Sequence, residues 1–127
     1  MPPAYSFAID PDRDLVRITI AGFFTAPDIT AFAHGLVAAQ RELRCAPNRH
    51  VTLVDMRAID IQAQDSVNAF QRVVGDPATA SRRLAFVVGL SLARRQIRRA
   101  AEMRGAAFFA TPGEAEAWLL SDAPPPA

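Results

Sequence analysis

The sequence predicts an α/β domain: a mixed five-stranded sheet with about four helices, in the order β-β-α-β-α-β-α-β-α. Three observations predict it. The chain opens with two stretches of period-two alternation joined by a polar turn, as in an antiparallel hairpin. Continuous apolar runs follow, the pattern of strands buried on both faces of a parallel sheet. Amphipathic stretches with helix-start signals separate those runs.

Tyr5, Phe7 and Ile9 alternate with Ser6 and Ala8, and Val16, Ile18 and Ile20 alternate with Arg17 and Thr19. Asp10-Pro11-Asp12-Arg13-Asp14 between them is turn chemistry, and Gly22 ends the hairpin. Thr25-Ala26-Pro27-Asp28 offers a capping hydroxyl, an early proline and an acid three residues after the cap. Ile29, Phe32, Ala33, Leu36, Val37 and Leu43 then keep helical spacing until Pro47. Val51 to Val54 is a third strand, which runs into Asp55, a turn and Asp60. A second helix fits about 65–74, with Val67, Phe70, Val73 and Val74 inward and Gly75 and Pro77 as its stop; Asp65 or Ser66 is its expected cap. Leu84 to Val88 is a fourth strand, 91–104 an arginine-rich helix, and Ala106 to Phe109 a last strand. Thr111-Pro112-Gly113-Glu114 starts a final helix with Ala115, Trp118 and Leu119 on its inner face. Of Phe23-Phe24 and Phe108-Phe109, one ring of each pair is expected to point inward. There is neither a repeat nor a linker, so one domain is expected over 1–127, with a core at about 5–120 and a Pro-rich tail at 121–127, frayed from Ala123 to Ala127.

Composition narrows the function classes. With 127 residues, half of them hydrophobic, the chain can bury a core. A net charge of +1 gives no global field for nucleic acid or an acidic membrane. Every basic side chain is arginine and alanine is abundant, a pairing that codon bias in a GC-rich genome explains. The single Cys45 excludes an intramolecular disulfide, and His34 and His50 lack metal-ligand spacing, so no metal is expected. Met1-Pro2-Pro3-Ala4-Tyr5 lacks the basic and apolar regions of a signal peptide, and no apolar run could span a bilayer; a cytoplasmic location is expected.

Several strings together resemble the SpoIIAA-like branch of the STAS fold, the family typified by anti-sigma factor antagonists. They are Asp14 to Phe24, the acid-ended strand Val51 to Asp55, Ala85-Phe86-Val87-Val88 before a helix, and Glu114-Ala115-Glu116-Ala117-Trp118-Leu119. The likeness covers roughly Tyr5 to Leu120. It implies a sheet with helices, no cofactor, and a role in partner binding or ligand sensing. Antagonist members carry Asp-Ser-Ser-Gly or Asp-Ser-Thr-Gly at the helix start after the acid-ended strand, and a partner kinase phosphorylates its serine. Here the corresponding strings are Ile59-Asp60-Ile61-Gln62, with an isoleucine at the hydroxyl position, and Gln64-Asp65-Ser66-Val67, where Val67-Asn68 replaces the hydroxyl–glycine pair.

The residues that chemistry could use also have plainer roles. Gly89-Leu90-Ser91-Leu92-Ala93 resembles a nucleophile elbow, but both histidines precede Ser91 and no complete catalytic set follows. Arg94 and Arg95 follow Ser91 in a first helical turn, where an anion would offset them. Arg95, Arg98 and Arg99 form a basic face without interleaved aromatics, which argues for a solvated surface over nucleic acid. The expected function is therefore a non-catalytic binding or regulatory module, acting on a protein partner, on a second copy, or on a small apolar or anionic ligand at the carboxyl ends of the strands. Asp55, Arg57, Asp60, Ser66, Ser91 and Arg94 are the candidate residues. The alternatives are a small enzyme around Asp55, Ser91 and Arg94, or nucleic-acid binding through the arginine-rich helix.

Overall fold

A computed structural model of the chain describes residues 2–60, 62–88 and 106–124. Strands β1 (Ala4–Asp10) and β2 (Leu15–Gly22) form the antiparallel hairpin, with Phe7 opposite Ile18. Asp14 takes a positive φ of 53° in the connection, a conformation that aspartate tolerates better than most side chains. β3 (Val51–Ile59), β4 (Arg83–Val87) and β5 (Ala107–Phe109) then add in parallel, giving the sheet order β1-β2-β3-β4-β5.

Helices α1 (Ala26–Gln40) and α2 (Gln64–Val74) cover one face, and α3 (Pro112–Leu119) covers part of the other. Strand alternation divides the core accordingly. Ile18, Ile20, Val54, Met56 and Phe86 meet Ile29, Phe32, Leu36 and Phe70 on the α1/α2 side. Leu15, Val51, Leu53, Ala85 and Val87 meet Ala115, Trp118 and Leu119 on the α3 side. The start signals at Thr25 and Thr111 are used as the sequence predicts. The Thr25 hydroxyl accepts from the Asp28 backbone N–H at 3.3 Å, and the Asp28 carboxylate accepts from the Thr25 N–H at 2.8 Å. Thr111 caps α3 by accepting from the Glu114 N–H.

Four expectations need correction. α1 stops at Gln40, well before Pro47, and Val37 on it is exposed; Leu43 packs on the core from the turn beyond. The α2 cap is Ala63, without a side-chain hydrogen bond, and neither Asp65 nor Ser66 serves. β3 does not turn after Asp55 but runs on to Ile59. The register against β2 shifts between Thr19 and Ala21, which lets the extra length fit. The end of the chain is not wholly frayed: the Arg83 guanidinium stacks on Trp118 at 4.2 Å and donates to the Trp118 and Ala123 carbonyls, and the Trp118 indole N–H donates to the Pro124 carbonyl at 3.1 Å. The helix expected over 91–104 lies outside the described residues.

Candidate functional site

Between the sheet and helices α1 and α2 lies a partly enclosed cavity of about 90 Å³. Its length follows the strands. Ile18, Ile20, Val54, Met56 and Phe86 form its floor, and Phe32, Leu36, Val67 and Phe70 its roof. It exists because α2 is a two-sided helix: Val67 and Phe70 reach the core, while Val73 and Val74 remain half-buried along the cavity wall.

A glutamine closes each end. At the amino end of β3, the Gln40 amide donates to the Thr79 carbonyl at 3.1 Å and lies 3.2 Å from Nε2 of the buried His50. At the carboxyl end, the Gln62 side chain ties two loops together. Its Oε1 accepts from the Phe24 N–H at 2.8 Å, and its Nε2 donates to the Gly22 carbonyl at 3.0 Å. Ser66 completes this clamp by donating from Oγ to the Phe24 carbonyl at 2.6 Å. Gly22 itself sits at φ 86°, a left-handed conformation that a side chain would strain. Both backbone polar groups of Phe24 are thus satisfied by α2 and the loop before it, which lets that residue be fully buried.

One polar group inside the cavity is different. Thr52, on β3, is 6% exposed and lines the wall, and among the described residues its hydroxyl has no hydrogen-bonding partner. A buried hydroxyl without a partner is costly, so such a group invites a ligand or water. Among the described residues that line the cavity none is basic, and Asp60 contributes the one formal charge.

The four expected site residues that the structure describes do not share one place. Asp55 and Arg57 lie on the sheet face away from the cavity, as a pair: Arg57 Nε and Nη2 donate to the Asp55 carboxylate at 2.9 and 2.7 Å. Asp60 lines the carboxyl end of the cavity. Ser66 is 3% exposed, with its hydroxyl committed to Phe24. Ser91 and Arg94 lie outside the described residues, as do Arg95, Arg98 and Arg99. Among the described residues no group of three or more His, Cys, Asp or Glu is placed to hold a metal ion. Sequence reasoning missed Gln62, Gln40 and Thr52. Only Thr52 carried a signal, as the one hydroxyl within the apolar run of β3.

The Asp55–Arg57 pair makes stability depend on pH. The Arg57 hydrogen bond holds the Asp55 carboxyl below its usual value, against burial, which raises it. A carboxyl with a depressed folded-state pKa stabilises the protein above its unfolded pKa, and loses that contribution as pH falls through the folded value. Arg57 is half exposed, so solvent screening keeps that contribution small. Asp55→Asn is expected to flatten the acid limb of a denaturation series taken between about pH 2 and 6. An unchanged slope would mean that the pair does not contribute.

No protein-family model matches this sequence, and no curated protein matches it significantly. Solved structures share its fold, among them these two. One is an uncharacterized protein of the DUF3478 family with a SpoIIAA-like fold, from Shewanella loihica PV-4. It is 17% identical, with a TM-score of 0.70 over 94% of this chain and 96% of that one. The other is an anti-sigma factor antagonist from Mycobacterium paratuberculosis, 11% identical, with a TM-score of 0.63 over 93% of this chain and 96% of that one. Among the described residues no helix is long and apolar enough to cross a membrane.

Proposed function

We propose that this chain, which has the SpoIIAA-like STAS fold, is a non-catalytic binding module. Its cavity takes a small, neutral, largely apolar ligand that carries a hydrogen-bonding oxygen. The observation that carries this reading is the buried hydroxyl of Thr52, set without a partner beside the apolar floor and roof of the cavity. Asp60 at the carboxyl end of the cavity disfavours an anion there.

Size bounds the ligand. The cavity is smaller than the ~150 Å³ engineered cavity known to hold benzene, so it accepts a few carbon atoms, with any remainder in its open mouth. Burying about five methylenes at about 0.8 kcal/mol each gives about 4 kcal/mol, a dissociation constant near 1 mM. Isothermal titration with 1-hexanol and with hexanoate is the test. Hexanol is expected to bind more tightly than hexanoate. Thr52→Val should weaken hexanol about fivefold through the lost hydrogen bond, without lowering stability. Ala80→Trp, at the cavity rim, should block entry. Absence of binding by either probe at tens of millimolar, or hexanol binding indifferent to both substitutions, would remove this reading.

The name of the second structural neighbour suggests another role, contact with a protein partner. Phe23, 40% exposed in the loop that Gln62 clamps, is the apolar side chain that favours it.

A further inference from the structure

β1 is an edge strand: it pairs with β2 on one side only, and the sheet order leaves its other edge open. Such an edge presents a row of unsatisfied backbone donors and acceptors, and proteins ordinarily blunt it with lysine, proline, a bulge or an inward charge. None of these interrupts Ala4–Asp10. The chain has no lysine, Pro3 and Pro11 stand just outside the strand, and the pairing with β2 runs without a register shift from Ala4 to Asp10.

The strand is also complementary to itself. An antiparallel copy centred on Phe7 sets Phe7 against Phe7, Tyr5 against Ile9, Ser6 against Ala8, and Ala4 against Asp10. On the α1 side this makes aromatic–aromatic and aromatic–β-branched pairs, which stabilise sheets. On the other side it joins small exposed residues, and the one charge, Asp10, faces alanine rather than its own copy. Tyr5 is 39% exposed although its ring already packs on Phe7, Phe24 and Phe32, so it has apolar surface left to bury. The flank of α1 above β1 carries small residues. Gly35 sits over the Phe7 ring, so closely that a Cβ there would come within 2.9 Å of it, and Ala31 and Ala38 continue that flank.

We propose that β1 pairs with β1 of a second copy of this chain. The two copies would be related by a two-fold axis through Phe7 and would share one continuous sheet. The interface is isologous, as a two-fold requires, and it is independent of the cavity's occupant.

Sedimentation equilibrium from about 10 μM to about 1 mM tests it on the intact chain. The wild-type mass is expected to rise from 13.8 kDa toward twice that value. Ser6→Glu with Ala8→Glu sets glutamate against glutamate at two symmetric positions and should weaken dimerisation by at least about tenfold. Ser6→Lys with Ala8→Glu sets lysine against glutamate in the same register and should restore it. Both residues are exposed, and Ala8 lies beside Arg17, so each double variant should keep the wild-type circular dichroism and melting behaviour. A wild-type mass that stays at the monomer value throughout overturns the proposal. So does a dimer indifferent to both double variants, or one weakened equally by both.

Discussion

Phe24→Ala is expected to destabilise the fold by about 3–5 kcal/mol, whereas Phe23→Ala should change it by less than about 0.5 kcal/mol. The two residues are adjacent and chemically identical, so the contrast isolates placement. Phe24 is fully buried and meets the Phe70 ring edge-on at 5.6 Å and Tyr5 at 6.3 Å, while Phe23 is 40% exposed. Truncating Phe24 leaves a cavity in the layer between α1, α2 and the sheet. The clamp from Gln62 and Ser66 holds the Phe24 backbone in place, so the surroundings have little freedom to collapse into the void. Thermal unfolding should show a drop in Tm of roughly 10–20 °C for Phe24→Ala. A loss below about 1 kcal/mol would mean that this loop is not part of the cooperative core.

That pair also shows how much of the fold was legible in the sequence. Strands β1 and β2 follow from alternation, β3 and β4 from apolar runs, and the starts of α1 and α3 from Thr25 and Thr111. In each case a few neighbouring residues carry the whole signal. The carboxyl end of β3 was not legible, because Asp55 and Arg57 read as turn residues. They fit a strand only because they pair with each other, two positions apart, on a sheet face that α3 leaves open. The α1 stop at Gln40 was hidden for a related reason: that glutamine leaves the helical face to bridge Thr79 and His50, and nothing local marks such a contact. The candidate site was less legible still. Its elements come from residues about forty positions apart, such as Gln62 with Gly22 and Ser66 with Phe24, and a polar pair at that distance has no periodicity. The loop after β3 was the right neighbourhood, since Asp60, Gln62 and Ser66 all lie there. Their work is to brace Phe24 and close a cavity, and Asp55 and Arg57 point away from it.

Ser66 separates the bracing role from a phosphoswitch. Its hydroxyl is 3% exposed and donates to a buried carbonyl. Ser66→Ala is expected to cost about 1–3 kcal/mol, because it leaves the Phe24 carbonyl unsatisfied. Ser66→Asp should cost more than Ser66→Ala, by about 2 kcal/mol or beyond, since it replaces the donor with a carboxylate aimed at a carbonyl oxygen and takes that charge out of water. Position in the first turn of α2 favours a negative charge by only about 0.3–1 kcal/mol, too little to reverse the order. Chemical denaturation of the wild type and both variants gives the ranking directly. If Ser66→Asp were as stable as the wild type, the start of α2 would accept a phosphate without opening, and the serine could switch a folded protein as in the antagonists that the sequence resembles. If the expected order holds, a phosphate at Ser66 would require α2 to release Phe24 first, and its effect would be to unfold the clamp at the carboxyl end of the cavity.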